Sequence, residues 1–130
     1  MLTREHRLSS SRLFSRTVRR GRRAGTRTLV VHLDVDGGVE RPQLGLVVSK
    51  AVGPAVTRNL VKRRLRHLAR ERIHALPGSA VLVVRALPAA AGADYAALGA
   101  DLDHALARAL SRGGRPAARA EAVGAAMEAR

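Results

Sequence analysis

The fold is decided by residues 44–67, which read LGLVVSKAVGPAVTRNLVKRRLRH. The first part, Leu44–Ser49, is short, apolar and rich in valine, so it predicts a strand. Gly53-Pro54 ends that pattern, and proline suits the first turn of a helix, where its missing N–H is not needed. No further glycine or proline occurs before Pro77-Gly78, so the sequence predicts a helix from Ala55 to about Leu76.

The predicted helix has one apolar side and one basic side. At about 100° per residue, Leu65 and Leu68 lie within roughly 40° of Val61. The opposite side carries four cations and an amide, at about 100° to 200° from Val61: Asn59, Lys62, Arg63, Arg66 and Arg70. Glu71 is the one acid among residues 50–72, so ion pairing within the helix does not explain these charges. Because such rows of cations bind phosphates, the pattern favours a nucleic-acid surface over a merely solvated face.

The composition indicates a polyanionic partner. The 130-residue chain has 24 Lys or Arg against 10 Asp or Glu, a net charge of +14 and a pI near 11.9. Such a surface attracts RNA, DNA or an acidic membrane. No apolar run approaches the roughly 20 residues of a membrane span, and no signal peptide is evident. The chain has no cysteine, which excludes disulfides and cysteine-based metal sites, and we expect a cytoplasmic protein without membrane contact.

Upstream of residues 44–67, the sequence predicts one helix and one strand. A serine among residues 9–11 can cap a helix that runs to about Arg20. Thr28–Val35 is a strand-like run rich in β-branched residues, and it ends at an Asp-Gly-Gly turn signal. We expect this strand to pair antiparallel with Leu44–Ser49 as a hairpin.

Downstream, the sequence predicts a further strand and a further helix. Residues 80–85 are nearly all apolar, which is typical of a strand buried on both faces. Tyr95–Leu110 has leucines at four-residue steps and predicts an amphipathic helix. The order α-β-β-α-β-α indicates an α+β domain over residues 1–112, with 1–8 as a basic arm. Residues 113–130 are rich in Ala, Arg and Gly and predict a disordered or fraying tail.

No set of residues predicts catalysis by the protein itself. Asp101 and Asp103 are two residues apart on a helix and point in different directions. Ser49 precedes a lysine, but no base partner is evident. Metal-ligand spacing is absent among the five histidines, which are His6, His32, His67, His74 and His104. We therefore expect neither a catalytic residue nor a metal site in this chain.

Residues 45–66 resemble the signature of the bacterial ribonuclease P protein subunit. That family carries Gly-x-x-Val-Ser-Lys/Arg, followed by Gly-x-Ala-Val-x-Arg-Asn-x-x-Lys-Arg-x-x-Arg. The matching positions are Gly45, Val48, Ser49, Lys50, Gly53, Ala55, Val56, Arg58, Asn59, Lys62, Arg63 and Arg66. One position departs from the family, because Leu60 stands where an arginine usually follows the Arg-Asn pair.

The resemblance implies an RNA-binding subunit of a ribonucleoprotein enzyme. In ribonuclease P, a catalytic RNA subunit removes the 5′ leader from precursor tRNA, with Mg²⁺ expected to be bound mainly by that RNA. The resemblance implies that this protein binds the RNA subunit and the leader, and no DNA. It would belong to an endoribonuclease without supplying catalytic residues of its own.

The resemblance also implies a fold, an α-β-β-(β)-α-β-α sandwich with a central sheet, similar to the second domain of a small-subunit ribosomal protein. It implies a left-handed crossover for the strand–helix–strand unit of residues 44–86, although such units generally cross over right-handed. The bracketed strand is short, and the residues do not assign its position.

Two RNA-binding surfaces are implied by the same resemblance. The first faces the RNA subunit and consists of Lys50, Arg58, Asn59, Lys62, Arg63, Arg66 and Arg70. The second is a cleft between the first helix and the sheet, where single-stranded leader would stack on aromatic side chains. Phe14, Val18 and His32 stand at positions where the family commonly has aromatic residues. Because Val30 and His32 alternate along one strand, we expect His32 to face the surface and not to be buried.

Two other classes of protein fit parts of the sequence. A ribosomal or other structural RNA-binding protein would share the small size and the charge, but it does not require the spacing of residues 45–66. A DNA-binding helix-turn-helix module could place the basic helix in a major groove. Its recognition helix usually follows another helix across a tight turn, whereas here a predicted strand precedes it.

Overall fold

A four-stranded sheet lies between helices in the computed structural model, which describes residues 7–111. The predicted α+β class is confirmed, and the predicted segments agree closely with the observed ones. The elements are α1 (Ser11–Arg20), β1 (Arg22–Gly25), β2 (Leu29–Asp34), β3 (Gln43–Val47), α2 (Ala55–Arg72), β4 (Val81–Ala86) and α3 (Tyr95–Ser111), with short 3₁₀ turns at Lys50–Val52, Ile73–Ala75 and Pro88–Gly92. The predicted tail, 113–130, and most of the basic arm, 1–8, lie outside the described residues.

The strand order corrects one prediction from the sequence. The sheet is ordered β1-β2-β4-β3, with β2 antiparallel and β3 parallel to β4. The predicted hairpin between β2 and β3 is therefore wrong, because β4 lies between them. The reason is that β4 is buried along both faces apart from Arg85, and a strand of that kind takes the central position. The short additional strand is β1, which follows α1 directly and pairs with β2.

Helix α2 is the crossover that joins the two parallel strands β3 and β4. It spans Ala55–Arg72 and continues as the 3₁₀ turn Ile73–Ala75, which confirms the predicted helix almost to the residue. Its predicted apolar side is also confirmed, since Val61, Leu65 and Leu68 are all buried in the core. The left-handed sense of this crossover stays a prediction.

The two faces of the sheet are covered by different helices. Alternate residues of β2, beginning at Leu29, belong to the main core together with the apolar sides of α2 and α3. The residues between them, Val30 and His32, point to the other face. Helix α1 packs on that second face, against β2 and β4. The protein therefore has three layers, with the two long helices on one side of the sheet and α1 on the other.

The chain before α1 protects an edge of the sheet. The backbone N–H of Leu8 donates to the carbonyl of Leu44, with 2.8 Å between nitrogen and oxygen, and Arg7 forms a parallel bridge with the same residue. This contact covers part of the outer edge of β3, which would otherwise present unpaired backbone groups.

Several arginines hold α3 in place. Arg22 of β1 donates to the carbonyl of Ala109 over 3.1 Å, and Arg108 donates to the carbonyl of Gly25 over 2.8 Å. Arg72 of α2 forms a two-point contact with Asp103 of α3, and its hydrogen bond lowers the pKa of the Asp103 carboxyl. These arginines connect α3 to β1 and to α2.

Among the described residues, no helix is both long enough and apolar enough to cross a membrane.

Candidate nucleic-acid interface

The structure brings the predicted basic residues together on one surface. We call this surface the basic ridge: Lys50, Arg58, Asn59, Lys62, Arg63, Arg66 and Arg70. Six of them lie on α2, and Lys50 lies in the 3₁₀ turn just before it. None is buried, because they point away from the core that holds Val61 and Leu65.

Most side chains of the basic ridge have no partner among residues 7–111. Arg58 is the exception, because its Nε donates to the carbonyl of Gly53 over 3.0 Å. Gly53 has a φ of 152°, a backbone conformation that residues with a side chain rarely adopt, so glycine suits this turn. Within residues 7–111, the other six ridge side chains form neither a hydrogen bond nor an ion pair. Their charged and amide groups therefore face solvent and are available to an external polyanion.

A second candidate surface lies where α1 crosses the sheet. Phe14 and Val18 are half-buried one helical turn apart on α1. A methyl group placed on Gly45 of β3 would lie 3.4 Å from the Phe14 ring and 2.9 Å from the Leu8 side chain. Glycine at this position therefore lets α1 and the arm lie close to the sheet. We call the region between Phe14, Val18 and the exposed sheet surface the α1 cleft.

His32 lies on the sheet face that α1 covers, but it is not exposed as the sequence predicted. The expectation of a surface-facing side chain is wrong, since only 3% of His32 is accessible. Strand alternation assigned the face of the sheet correctly, and the packing of α1 on that face then buried the residue. Neither ring nitrogen has a hydrogen-bond partner among the described residues.

The surroundings of His32 keep its ring neutral. Burial, followed by the positive charges of Arg85 and Arg23, lowers the pKa of His32 to about 4. A neutral imidazole has one donor and one acceptor nitrogen. It therefore adds no positive charge for a phosphate, and its buried nitrogens are not accessible to an external ligand.

Known proteins resemble this chain in both sequence and fold. The model of the family described as Ribonuclease P matches residues 2–110. A ribonuclease P protein component from a Nocardioides species is 59% identical over 110 residues, covering 83% of this chain and 94% of that protein. One from Streptomyces griseus is 54% identical over 123 residues, covering 88% of this chain and all of that protein.

The chain belongs to the ribonuclease P protein family.

Solved structures agree with this assignment. The ribonuclease P protein of Staphylococcus aureus superposes with a TM-score of 0.70 at 25% identity, covering 85% of this chain and 98% of that chain. The ribonuclease P protein of Thermotoga maritima gives a TM-score of 0.67 at 25% identity, covering 78% and 96%. The resemblance drawn from residues 45–66 is confirmed, and it extends over the whole described domain. Membership of this family favours a ribonuclease P subunit over a ribosomal protein or a helix-turn-helix module.

Two cations of the α1 cleft were missed by the sequence reasoning. Arg23 is the direct neighbour of His32 across the β1–β2 pair, and Arg85 lies on the same face of β4, opposite Val30. Both side chains are exposed. A signal for Arg85 was present, because it is the single charged residue in an otherwise apolar strand. Arg23 had no such signal, since it lies within a segment of many arginines.

Two acidic residues of α3 make structural contacts in this ribonuclease P family member. Asp101 accepts a hydrogen bond from the Thr28 hydroxyl, and Asp103 pairs with Arg72. Within residues 7–111, no three His, Asp or Glu side chains come together in a group that would hold a metal ion.

Burial of His32 predicts a pH-dependent stability. Between pH 6.5 and pH 4 the unfolded chain binds a proton at this histidine that the folded chain excludes, so the free energy of unfolding decreases as the pH falls through this window. Between pH 7 and pH 5, His32 lowers the free energy of unfolding by about 2 kcal/mol. Denaturant unfolding of the wild type and of His32→Leu at both pH values measures it. We expect the variant to lose less stability by that amount, and parallel losses would contradict the prediction.

Proposed function

We propose that this protein is the RNA-binding subunit of ribonuclease P, which assists a catalytic RNA in removing the 5′ leader from precursor tRNA. The observation that carries the proposal is the basic ridge, a row of cations on the crossover helix of a ribonuclease P family fold, most of them without a partner in the described part of the chain. The ridge and the α1 cleft lie on opposite faces of the sheet. That separation supports two different RNA contacts at once.

The basic ridge is proposed to bind the catalytic RNA subunit. Arginine binds phosphate oxygens through two parallel hydrogen bonds, and each cation that neutralises a phosphate also releases condensed counterions. Arg63, Arg66 and Lys62 satisfy the requirement for such contacts, since their charged groups are not already paired within the described domain. The protein would thereby reduce the repulsion between the RNA subunit and its RNA substrate.

The α1 cleft is proposed to bind the single-stranded leader. Phe14 would stack on a base, Val18 would add apolar contact, and Arg23 and Arg85 would bind the phosphates on either side. Neutral His32 would support the floor of the cleft from beneath, because its ring is buried under α1 and adds no charge there. Aromatic residues make up only 2% of the chain, so each stacking contact matters more here.

The chemical step is assigned to the RNA subunit. Asp101 and Asp103 are engaged in structural contacts, and no three His, Asp or Glu side chains among the described residues form a group that would hold a metal ion. We propose that Mg²⁺ is bound mainly by the RNA subunit, where such ions activate water and neutralise charge at the scissile phosphate. The protein's role is then positional and electrostatic, in the cytoplasm where tRNA is processed.

Reversing charge on the basic ridge should weaken assembly with the RNA subunit. We expect the double variant Arg63→Glu, Arg66→Glu to bind ribonuclease P RNA at least about tenfold more weakly at low salt, with the salt slope reduced by about 2. Filter binding over a series of salt concentrations measures both quantities.

The matched control makes the same charge change elsewhere. Arg27→Glu, Arg41→Glu alters two exposed arginines in the loops that precede β2 and β3, outside the ridge and the cleft. We expect its affinity to stay within a fewfold of wild type. If both double variants lose affinity equally, net charge and not the ridge governs binding, and the assignment of this surface fails.

Removing the Phe14 ring should weaken recognition of the leader. Phe14→Leu keeps an apolar side chain against Gly45 but removes the flat stacking surface, so we expect affinity for precursor tRNA to fall by about 1–3 kcal/mol. Affinity for mature tRNA, which has no leader, should not change. Binding of both RNAs to the holoenzyme is the measurement, and equal losses for the two would indicate that Phe14 acts only in packing.

A further inference from the structure

Two aromatic side chains meet on the surface between α2 and α3. Tyr95 is the first residue of α3, and its hydroxyl lies 3.1 Å from Nδ1 of His67 on α2. The ring centroids are 5.8 Å apart and the planes are inclined by 41°, so the rings are not stacked on each other. Tyr95 is 38% exposed and the His67 side chain 50% exposed. We call this pair the His67–Tyr95 platform.

The platform continues an uncharged stripe along one side of α2. Val56, Leu60 and His67 fall within about 40° of one another on the helix, and Arg63 within about 20° of Val56. Val56 is 82% exposed and Leu60 37% exposed, which is unusual for large aliphatic residues in a small domain. This stripe lies to one side of Lys62 and Arg66. It includes Leu60, the position where the chain departs from the family signature.

Charges of both signs surround the platform. Arg63 is exposed one turn before His67 and has no partner within the described residues. Arg64 donates to the carbonyl of Ala93 over 3.0 Å, which fixes the chain two residues before Tyr95. Two acids are close. Glu71 lies 4.0 Å from Nε2 of His67 and 3.6 Å from Arg72, and Asp94 directly precedes Tyr95, where its carboxylate accepts from the N–H of Ala97.

We propose that the His67–Tyr95 platform binds an unpaired nucleobase of the RNA partner by stacking, while Arg63 binds a phosphate next to that base. Exposed aromatic rings beside unpaired arginines are the chemistry by which proteins bind single-stranded nucleotides. The platform lies on the layer of α2 and α3, on the opposite side of the sheet from Phe14 and the α1 cleft. The base therefore belongs to an RNA segment other than the leader. The inference rests on the proposed function in taking RNA as the partner.

The composition of the chain allows a direct test. Tyr95 is the only tyrosine, and there is no tryptophan, so the tyrosine fluorescence of the whole protein reports on this one site. We would titrate the full chain at low salt with oligoadenylate and with an abasic ribose-phosphate oligomer of equal length. Binding of each oligomer is followed independently by fluorescence anisotropy of a dye on its end. We expect saturable quenching with oligoadenylate, and binding without quenching with the abasic oligomer. Binding of oligoadenylate without quenching would overturn the proposal.

Substitutions separate stacking from a purely structural contact. Tyr95→Phe loses the hydrogen bond to His67 but keeps the ring, whereas Tyr95→Leu loses the ring. We expect Tyr95→Leu to bind ribonuclease P RNA about tenfold more weakly and Tyr95→Phe to stay within about twofold of wild type. His104→Leu, at an exposed position of α3, is the control and should bind as wild type. Equal losses for Tyr95→Phe and Tyr95→Leu would show that the hydrogen bond and not the ring face matters, which contradicts the proposal.

The test of the platform and the test of the proposed function can fail independently of each other. If the wild-type protein fails to support cleavage of precursor tRNA but its fluorescence is quenched by oligoadenylate and not by the abasic oligomer, the platform stands and the ribonuclease P role falls. If cleavage is supported but oligoadenylate binds without quenching, the platform alone falls.

Discussion

The central position of β4 is the constraint on which the rest of the structure depends. Val81–Ala86 pairs with β2 on one side and β3 on the other, and it is covered by helices on both faces. Because β3 and β4 are parallel, the chain between them needs a crossover connection, and that connection is α2. Burial of Val61 and Leu65 then fixes which side of α2 faces the core. The cations on the opposite side are presented to solvent as a consequence of strand pairing.

The same sheet separates two kinds of surface. On the α2 side, flexible cations lie on a convex helix, and such a surface suits the phosphates of a large folded RNA. On the α1 side, Gly45 allows the Phe14 ring to lie close to the strands, and the buried His32 on the same face of the sheet stays neutral. That arrangement suits the base of a single strand better than a phosphate row. One sheet thus supports a contact based on charge and a contact based on shape.

Arginine serves two purposes in this chain, and only the structure distinguishes them. Arg22, Arg72 and Arg108 donate to backbone or carboxylate oxygens and hold α3 against its neighbours. Arg63 and Arg66 have no such partners within the described residues and remain available to RNA. All five are arginines in an arginine-rich sequence. Composition alone therefore overstates how many cations are available to bind RNA.

Local sequence patterns predict most of the fold. The features that they do not predict depend on packing between distant parts of the chain. The bounds of α2 and its buried side follow from the Gly-Pro step, the absence of further breakers and the spacing of Val61, Leu65 and Leu68. Pairing of β2 with β3 was expected because they are close in the sequence, whereas the observed partner of both is a later strand. Burial of His32 depends on α1 covering the second face, which strand alternation does not report. The contact of His67 with Tyr95 joins residues 28 positions apart, and neither residue alone indicates it.

The measurement that tests the central claim most directly is cleavage of a precursor tRNA by a bacterial ribonuclease P RNA at low, near-physiological Mg²⁺, with and without this protein. At this low Mg²⁺ concentration, cleavage by the RNA alone is limited by electrostatic repulsion between RNA strands, and the basic ridge would offset that repulsion. The account predicts that adding the protein restores cleavage at the correct 5′ position. If the protein binds RNA but leaves cleavage at the level of the RNA alone, the claim that it acts as the ribonuclease P subunit is contradicted.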